Sequence, residues 1–170
     1  MPINLLHFWQ WSFSDILSNT LRGILAEFIV AGAAAATNSP REEWDAYDLI
    51  TKQGLKIEVK SSAYLQSWEQ KKLSTISFGI QPTRIWEDSD TRSQKAARRS
   101  DVYVFCVLKH KDMRTVNPLN LDQWDFYILE TAILDAAIPT QKTITLTSLL
   151  TFQPKTVHYN ELLETLNKIT

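Results

Sequence analysis

The chain has 170 residues, of which 44% are hydrophobic and 22% are charged, and its formal net charge is −1. This length and composition are typical of one globular domain over residues 1–170, with enough core to fold without disulfides or a structural metal. A net charge near zero excludes a generally basic protein that coats nucleic acid, although a local basic patch remains compatible with it.

Several functional classes lack their sequence signals. The four glycines are not spaced as a phosphate-binding loop and the three histidines lie far apart, so we expect no nucleotide cofactor and no zinc. The longest apolar run, 24–36, contains Glu27 and is shorter than the roughly 18 residues of a membrane span. With no signal-peptide pattern and a single cysteine, Cys106, among apolar neighbours, we expect a cytoplasmic protein with a buried strand thiol and no membrane association.

The first predicted elements are an aromatic segment and a helix. Leu5 to Phe13 is dense in aromatic residues, a pattern that favours packing against the body or a second subunit over stacking on bases. Thr20 to Ala36 reads as a buried helix that is apolar on almost every side. Glu27 is the exception, and an unpaired charge at that position would be costly.

The rest of the chain predicts a sheet with flanking helices. The order of elements is helix, three strands, helix, strand, and then C-terminal additions, which indicates an α/β fold with a mixed central sheet flanked by helices. The predicted strands are Trp44–Thr51, Leu55–Tyr64, Leu73–Ile80, Val102–Leu108 and Trp124–Leu129; the predicted helices are Thr91–Ser100 and one starting near Asn160, and His110 to Asp122 is irregular.

The hairpin between the first two strands places charged residues together. A three-residue loop commonly has glycine at its last, left-handed position, and Gly54 meets that requirement. Thr51 then pairs with Leu55, and counting outward places Asp48 opposite Glu58. Because residues two apart in a strand share a face, Lys60 lies on the same side as Glu58.

Two facing carboxylates require compensation. At a separation of about 5 Å they repel by roughly 3 kcal/mol at an effective dielectric constant near 20. Lys60 supplies part of the positive charge, and a magnesium ion, which prefers oxygen ligands, would supply more. Such a site favours phosphodiester hydrolysis. The alternative is a simple cross-strand salt bridge of Lys60 with Asp48 or Glu58.

Asp48, nine residues, and then Glu58-Val59-Lys60 resembles the motif of the PD-(D/E)XK, or restriction endonuclease-like, nuclease superfamily, in an uncharacterised bacterial branch. Tyr47 stands where that motif has proline. The resemblance covers about residues 20–108 and implies that Asp48 and Glu58 hold magnesium, for which manganese can substitute. It also implies that Lys60 positions or deprotonates the attacking water, and that Glu27 binds the metal directly or through water.

A DNA substrate would need a basic surface, and the predicted helix over 91–100 is the candidate. Spacings of three and four bring its cations toward one side, with a solvated helix face as the alternative. Gln66 shares the strand parity of Lys60 and is a possible neighbour of the site. The candidate DNA-binding residues are Arg84, Arg92, Lys95, Arg98 and Arg99.

The leading hypothesis is a magnesium-dependent DNA endonuclease, expected to be a homodimer because cutting a duplex needs two active sites or two visits. The alternative is a catalytically inactive protein of nuclease fold that binds nucleic acid or protein. A third hypothesis is a subunit of a larger assembly that docks through its aromatic segment.

Overall fold

The computed structural model describes residues 3–36, 46–84, 86–88, 91–92 and 96–169. In these ranges the α-helices are α1 (Leu5–Ser12), α2 (Asn19–Ala33), α3 (Thr131–Ala137), α4 (Leu146–Leu150) and α5 (Leu162–Asn167). The strands are β1 (Leu49–Ile50), β2 (Lys56–Ala63), β3 (Ser77–Gly79), β4 (Trp86–Asp88), β5 (Thr91–Arg92), β6 (Val102–Leu108), β7 (Trp124–Glu130), β8 (Thr143–Thr145) and β9 (Lys155–Val157). Short 3-10 helices occur at Leu121–Gln123 and Tyr159–Glu161.

The main sheet has five strands in the order β1-β2-β6-β7-β9. Strands β2 and β6 are parallel, whereas the other neighbouring pairs are antiparallel. All seven residues of β6 are buried, as its nearly continuous apolar sequence predicts for a strand covered on both faces. The α/β fold with a mixed central sheet is therefore confirmed, and Cys106 is the buried strand thiol that the sequence predicts.

Each face of the sheet has its own apolar core. One core joins α2 and α5 to Ile57 and Val59 of β2. The other core joins α3, α4, β3 and β8 to Tyr103 and Phe105 of β6. Since side chains alternate along a strand, Glu58 and Lys60 lie on the second face, away from the core residues of α2.

Helix α2 is positioned by its cap and by one buried face. The Ser18 hydroxyl accepts a hydrogen bond from the N–H of Leu21, and Ala26 and Val30 are buried against the sheet. The helix ends three residues before the predicted Ala36, because Ala35 adopts a left-handed conformation with φ of 53°. The turn that ends the helix is closed by a hydrogen bond from the N–H of Ala36 to the carbonyl of Ala31.

Three predicted elements differ from the structure. The first strand, predicted over Trp44–Thr51, is limited in the described residues to β1, and residues 44–45 lie outside them. The third strand is limited to β3, which pairs with β8 in a separate two-stranded sheet. The helix predicted over 91–100 is wrong in the described residues, where Thr91–Arg92 is β5 and Ala97 pairs with Thr83 as an isolated β-bridge. The Ala97 N–H donates to the Thr83 carbonyl, and the Thr83 N–H donates to the Ala97 carbonyl, so extended backbone replaces the helical turn.

The C-terminal part of the chain holds elements that its sequence did not reveal. Helix α3 follows β7 directly, and β8, α4 and β9 come before the final helix. These elements are three to seven residues long, which is too short for a clear periodic pattern. In the described part of the chain, no helix has both the length and the apolar character needed to cross a membrane.

Candidate active site

The β1–β2 hairpin has the predicted register. Leu49 pairs with Ile57, and the N–H of Thr51 donates to the Leu55 carbonyl at 3.0 Å. Gly54 has a φ of +88°, a left-handed conformation that favours glycine over residues with a side chain. The same count that pairs Leu49 with Ile57 places Asp48 opposite Glu58.

The backbone of β2 fixes Asp48 on both sides. Its N–H donates to the Ile57 carbonyl at 3.1 Å, and its Oδ2 accepts a hydrogen bond from the N–H of Val59 at 2.7 Å. Asp48 lies just before β1, and its side-chain carboxylate, not a backbone carbonyl, accepts the hydrogen bond from the Val59 N–H. Its side chain is thereby held against β2 within reach of Glu58.

Asp48 is electrostatically disfavoured as an anion. Burial and, secondly, the Glu58 carboxylate raise the pKa of Asp48 to about 6. The Val59 N–H and the Lys60 ammonium act in the opposite direction without cancelling this effect, and Glu27 adds a further small increase. The raised pKa indicates that this carboxylate favours a proton or an additional cation.

Lys60 contacts Glu58 directly. Its Nζ donates to Glu58 Oε1 at 2.5 Å, and both side chains are mostly shielded from solvent. The pair joins neighbouring positions on one face of β2, as the strand parity predicts. The ammonium is therefore closest to Glu58, and Asp48 receives only part of its effect.

Glu27 lies on α2, which packs on the sheet face opposite to Glu58 and Lys60, and it is partly buried. Its charge is the weakest of the influences on the pKa of Asp48. Within the described ranges, no three His, Cys, Asp or Glu side chains converge closely enough to hold a metal ion. The structure thus brings Asp48, Glu58 and Lys60 together, with Glu27 as a more remote acid.

Tyr103 is a neighbour of the site that the sequence did not identify. It lies beside Glu58 in the parallel pairing of β2 with β6, and it is buried. Burial and the Glu58 charge both raise the pKa of its hydroxyl, so Tyr103 remains a neutral phenol. Its position follows from the register that pairs it with Glu58, 45 residues earlier, and no local pattern specifies that register.

Gln66 does not lie on the strand face predicted for it, because β2 ends at Ala63. It is buried, and its Oε1 accepts a hydrogen bond from Nη1 of Arg22 at 3.3 Å. Nε of the same guanidinium donates to Ser61 Oγ at 3.2 Å. Gln66 and Arg22 therefore join the start of α2 to the end of β2, and burial lowers the pKa of Arg22.

Arg98 also differs from its predicted role. It is buried, its Nη1 contacts Asp135 Oδ1 at 2.5 Å, and its Nε donates to the Ile80 carbonyl at 2.8 Å. Nη2 donates to the carbonyls of Ile138 and Gln141. Because these bonds occupy the guanidinium inside the protein, Arg98 does not belong to a surface that could contact phosphate.

The remaining basic candidates do not form one helical face. Arg84 is exposed, Arg99 is partly buried, and the backbone of Arg92 belongs to β5. Lys95 lies outside the described residues. Because the described part of 91–100 is not helical, spacings of three and four residues do not bring these cations to one side. Among the described side chains of this set, Arg84 is the one exposed to solvent.

This arrangement supplies two oxygen-donor side chains and one ammonium at a partly open position. Carboxylates of this kind can hold a hard cation, and an adjacent lysine can donate a hydrogen bond to water or to a phosphate oxygen. Tyr103 lies beside Glu58 on the neighbouring strand and is buried. The residues are thus suited to polarising a water molecule beside an anionic substrate.

The protein-family model described as Bacteriophage T4 endonuclease IV matches residues 7–148. The matched segment contains Glu27, Asp48, Glu58 and Lys60. No curated protein matches the chain. Because the match extends over most of the sequence, the chain belongs to the bacteriophage T4 endonuclease IV family.

Proposed function

We propose that this protein is a magnesium-dependent endonuclease that hydrolyses phosphodiester bonds in DNA, with an active site of the PD-(D/E)XK type. The observation that carries the proposal is the Asp48–Glu58 pair, whose carboxylates share the ammonium of Lys60 while the pKa of Asp48 rises to about 6. Membership of an endonuclease family supports the reaction class.

The donor set fits a magnesium ion. Asp48 and Glu58 offer carboxylate oxygens from adjacent strands, and magnesium is commonly bound by one or two carboxylates together with water and substrate phosphate. Burial and, secondly, the Glu58 charge make the Asp48 anion unfavourable, and a positive charge here would offset both effects. Asp48 and Glu58 would hold the ion, with Glu27 acting through water, and manganese would substitute. When bound, the ion would supply Lewis-acid polarisation of a phosphoryl oxygen and stabilise developing negative charge.

The side chains of the protein have distinct parts in this proposal. Lys60 orients the attacking water, and its ammonium stabilises negative charge at the phosphorus centre. The Val59 N–H fixes Asp48 Oδ2, which leaves the other carboxylate oxygen for the ion. Glu58 holds Lys60 in place on the strand face before substrate arrives.

The direct test is to incubate the purified chain with supercoiled plasmid and with linear and branched DNA, each with magnesium and with EDTA. We expect cleavage at internal positions with magnesium and none with EDTA. Equal cleavage under both conditions would contradict metal dependence. Absence of cleavage on every substrate, from a protein that is folded by circular dichroism, would contradict the endonuclease proposal.

A second candidate is an inactive protein of nuclease fold that binds nucleic acid or another protein. The Lys60–Glu58 contact at 2.5 Å favours it, since the lysine already neutralises one of the two acids. This candidate predicts DNA binding that is unchanged by magnesium and by the Asp48→Asn substitution. Magnesium-dependent cleavage would exclude it.

A further inference from the structure

Two loops meet at Tyr64, the residue that follows β2. The first loop, 65–74, returns to this point through Ser74, whose N–H donates to the Tyr64 carbonyl at 2.9 Å. The second loop, 109–115, follows β6, and the ammonium of its Lys111 lies 4.5 Å from the centroid of the Tyr64 ring. Because β2 and β6 are parallel, both loops lie at the carboxyl ends of these strands, where α/β proteins commonly bind their ligands.

The second loop forms part of a cleft of about 500 Å³. Three consecutive basic side chains, Lys109, His110 and Lys111, line this cleft together with Tyr64 and residues 122, 123 and 125. Lys109 Nζ contacts Asp125 Oδ1 at 2.7 Å and neutralises it. Among the lining residues, Asp122 therefore remains as the carboxylate without a bound lysine.

The two loops are locally basic, and we call them the basic loops. Together they contain five Lys and Arg residues and two Asp and Glu residues, whereas the whole chain has 18 and 19. One of the two acids, Asp112, is already bound by Arg114 Nη2 at 3.1 Å. A local excess of cations in a chain of net charge −1 favours an anionic partner at this position.

Three exposed lysines of the basic loops have no ion pair and donate no hydrogen bond within the described part of the chain; they are Lys71, Lys72 and Lys111. The first loop is held in place by Gln70, whose Nε2 donates to the carbonyls of Tyr64 and Lys72 at 3.3 and 3.4 Å. An ammonium has three N–H donors, and phosphate oxygens are strong acceptors for them. These side chains are thus available to an anionic ligand.

The basic loops lie beyond the candidate active site along β2. Tyr64 packs against the core on the second face of the sheet, which is also the face of Glu58 and Lys60. It follows Lys60 by four residues, or about 13 Å of extended backbone. One strand of a duplex spans that distance in about four nucleotides, at about 3.4 Å each. A DNA backbone placed at Lys60 can therefore reach the basic loops.

We propose that the basic loops bind the phosphate backbone of DNA beside the active site, through Lys71, Lys72 and Lys111. The identity of the polyanion rests on the proposed function, and this surface takes the place of the basic helix expected over 91–100. Contacts to phosphate read no bases, so this binding is independent of sequence and weakens as salt is added.

The test is fluorescence anisotropy of a labelled DNA duplex with the full chain in EDTA, at salt concentrations from about 50 to about 200 mM. We expect Lys111→Gln to reduce the slope of log affinity against log salt by about 1. The combined Lys71→Gln, Lys72→Gln and Lys111→Gln variant is expected to reduce it by about 2 to 3 and to weaken binding at 0.1 M salt at least about 50-fold.

Lys168→Gln is the matched control. It removes the same charge from a side chain that is 65% exposed at the end of α5, a helix that packs on the other face of the sheet. We expect this variant to keep the wild-type affinity and slope. An equal loss of slope in Lys168→Gln would overturn the proposal, because the effect would then be one of net charge.

Two further results would overturn the proposal: a wild-type chain that does not bind the duplex, and a folded combined variant that keeps the wild-type slope. Cleavage with magnesium is measured separately. A wild-type chain that cleaves DNA, with an unchanged slope in the combined variant, removes this surface and leaves the endonuclease proposal. A reduced slope without any cleavage supports this surface and removes the endonuclease proposal.

Discussion

Asp48 lies directly across the β1–β2 hairpin from Glu58, and the two carboxylates share the nearby ammonium of Lys60. Glu58 holds that ammonium at 2.5 Å, whereas Asp48 is bound by the N–H of Val59 and keeps a raised pKa. Burial and the Glu58 charge therefore leave the Asp48 anion unfavourable. An added cation would stabilise that anion.

Replacing Lys60 tests the proposed role of its ammonium. We expect Lys60→Met to reduce magnesium-dependent DNA cleavage by at least about 100-fold, the contribution typical of a positioned proton-transfer group. The variant removes the charge but keeps a side chain of similar length on a partly exposed strand position, so folding should persist.

Lys56→Met is the matched control for that substitution. Lys56 occupies the first position of β2, and its ammonium lies 5.4 Å from the ring centroid of Tyr47. We expect this variant to cleave within about twofold of the wild type, since exposed cation–ring contacts contribute little. Equal losses in both variants would show that strand stability, and not the Lys60 ammonium, limits the rate.

The raised pKa of Asp48 predicts a pH-dependent stability. The folded protein holds this proton up to about pH 6, whereas the unfolded chain releases it near the ordinary value of 3.8. Stability from this group is therefore fully present below pH 3.8 and is lost as pH rises through 6. Asp48→Asn retains an oxygen acceptor for the Val59 N–H and has no charge to lose.

Urea unfolding of both proteins at about pH 4 and about pH 7.5 measures this effect. We expect the free energy of unfolding of the wild type, relative to Asp48→Asn, to be lower at the higher pH by about 2 kcal/mol, allowing for partial solvent screening. Parallel pH profiles for the two proteins would contradict the proposed destabilisation of the Asp48 anion.

Much of the hairpin was predictable from sequence because its information is local. Gly54 marks the turn, the turn sets the register, and the register alone places Asp48 opposite Glu58. Continuous apolar sequence likewise specified the bounds of β6. These features depend on neighbours within about ten residues.

Other features depend on contacts that are distant in sequence. Arg98 has the local appearance of a surface cation, but its guanidinium binds Asp135, 37 residues later. Tyr103 joins the site only through the parallel pairing of β2 with β6. The helix expected over 91–100 was wrong for the same reason, since the backbone of Ala97 bonds to Thr83 instead.

The conformation of Gly54 predicts a stability cost on substitution. At a φ of +88°, an alanine side chain would strain the turn, and we expect Gly54→Ala to lower the free energy of unfolding by about 1 to 2 kcal/mol. Gly23→Ala is the control: Gly23 lies in α2 with no atom within 4 Å of an added Cβ, and we expect it to stabilise the protein by about 0.5 to 1 kcal/mol. Chemical denaturation measures both, and a neutral Gly54→Ala would contradict the turn argument.

Substitutions of Arg98 and Arg84 are expected to differ in their effect on stability, because Arg98 is buried and Arg84 is exposed. We expect Arg98→Ala to lower the free energy of unfolding by about 2 kcal/mol, because it removes a buried guanidinium that binds the half-exposed Asp135 and the carbonyls of Ile80, Ile138 and Gln141. Arg84 is exposed, and Arg84→Ala should change stability by less than about 0.5 kcal/mol. Thermal unfolding of the two variants provides the comparison, and a stable Arg98→Ala protein would contradict the structural assignment.

A crystal of the protein grown or soaked with manganese tests whether Asp48 and Glu58 hold a metal ion, since anomalous scattering locates the ion independently of activity. We expect an anomalous peak within coordination distance of carboxylate oxygens from both Asp48 and Glu58, with Lys60 turned toward the same site. A structure saturated with manganese that has no peak at these two carboxylates, or has its only ordered ion elsewhere, would contradict the account.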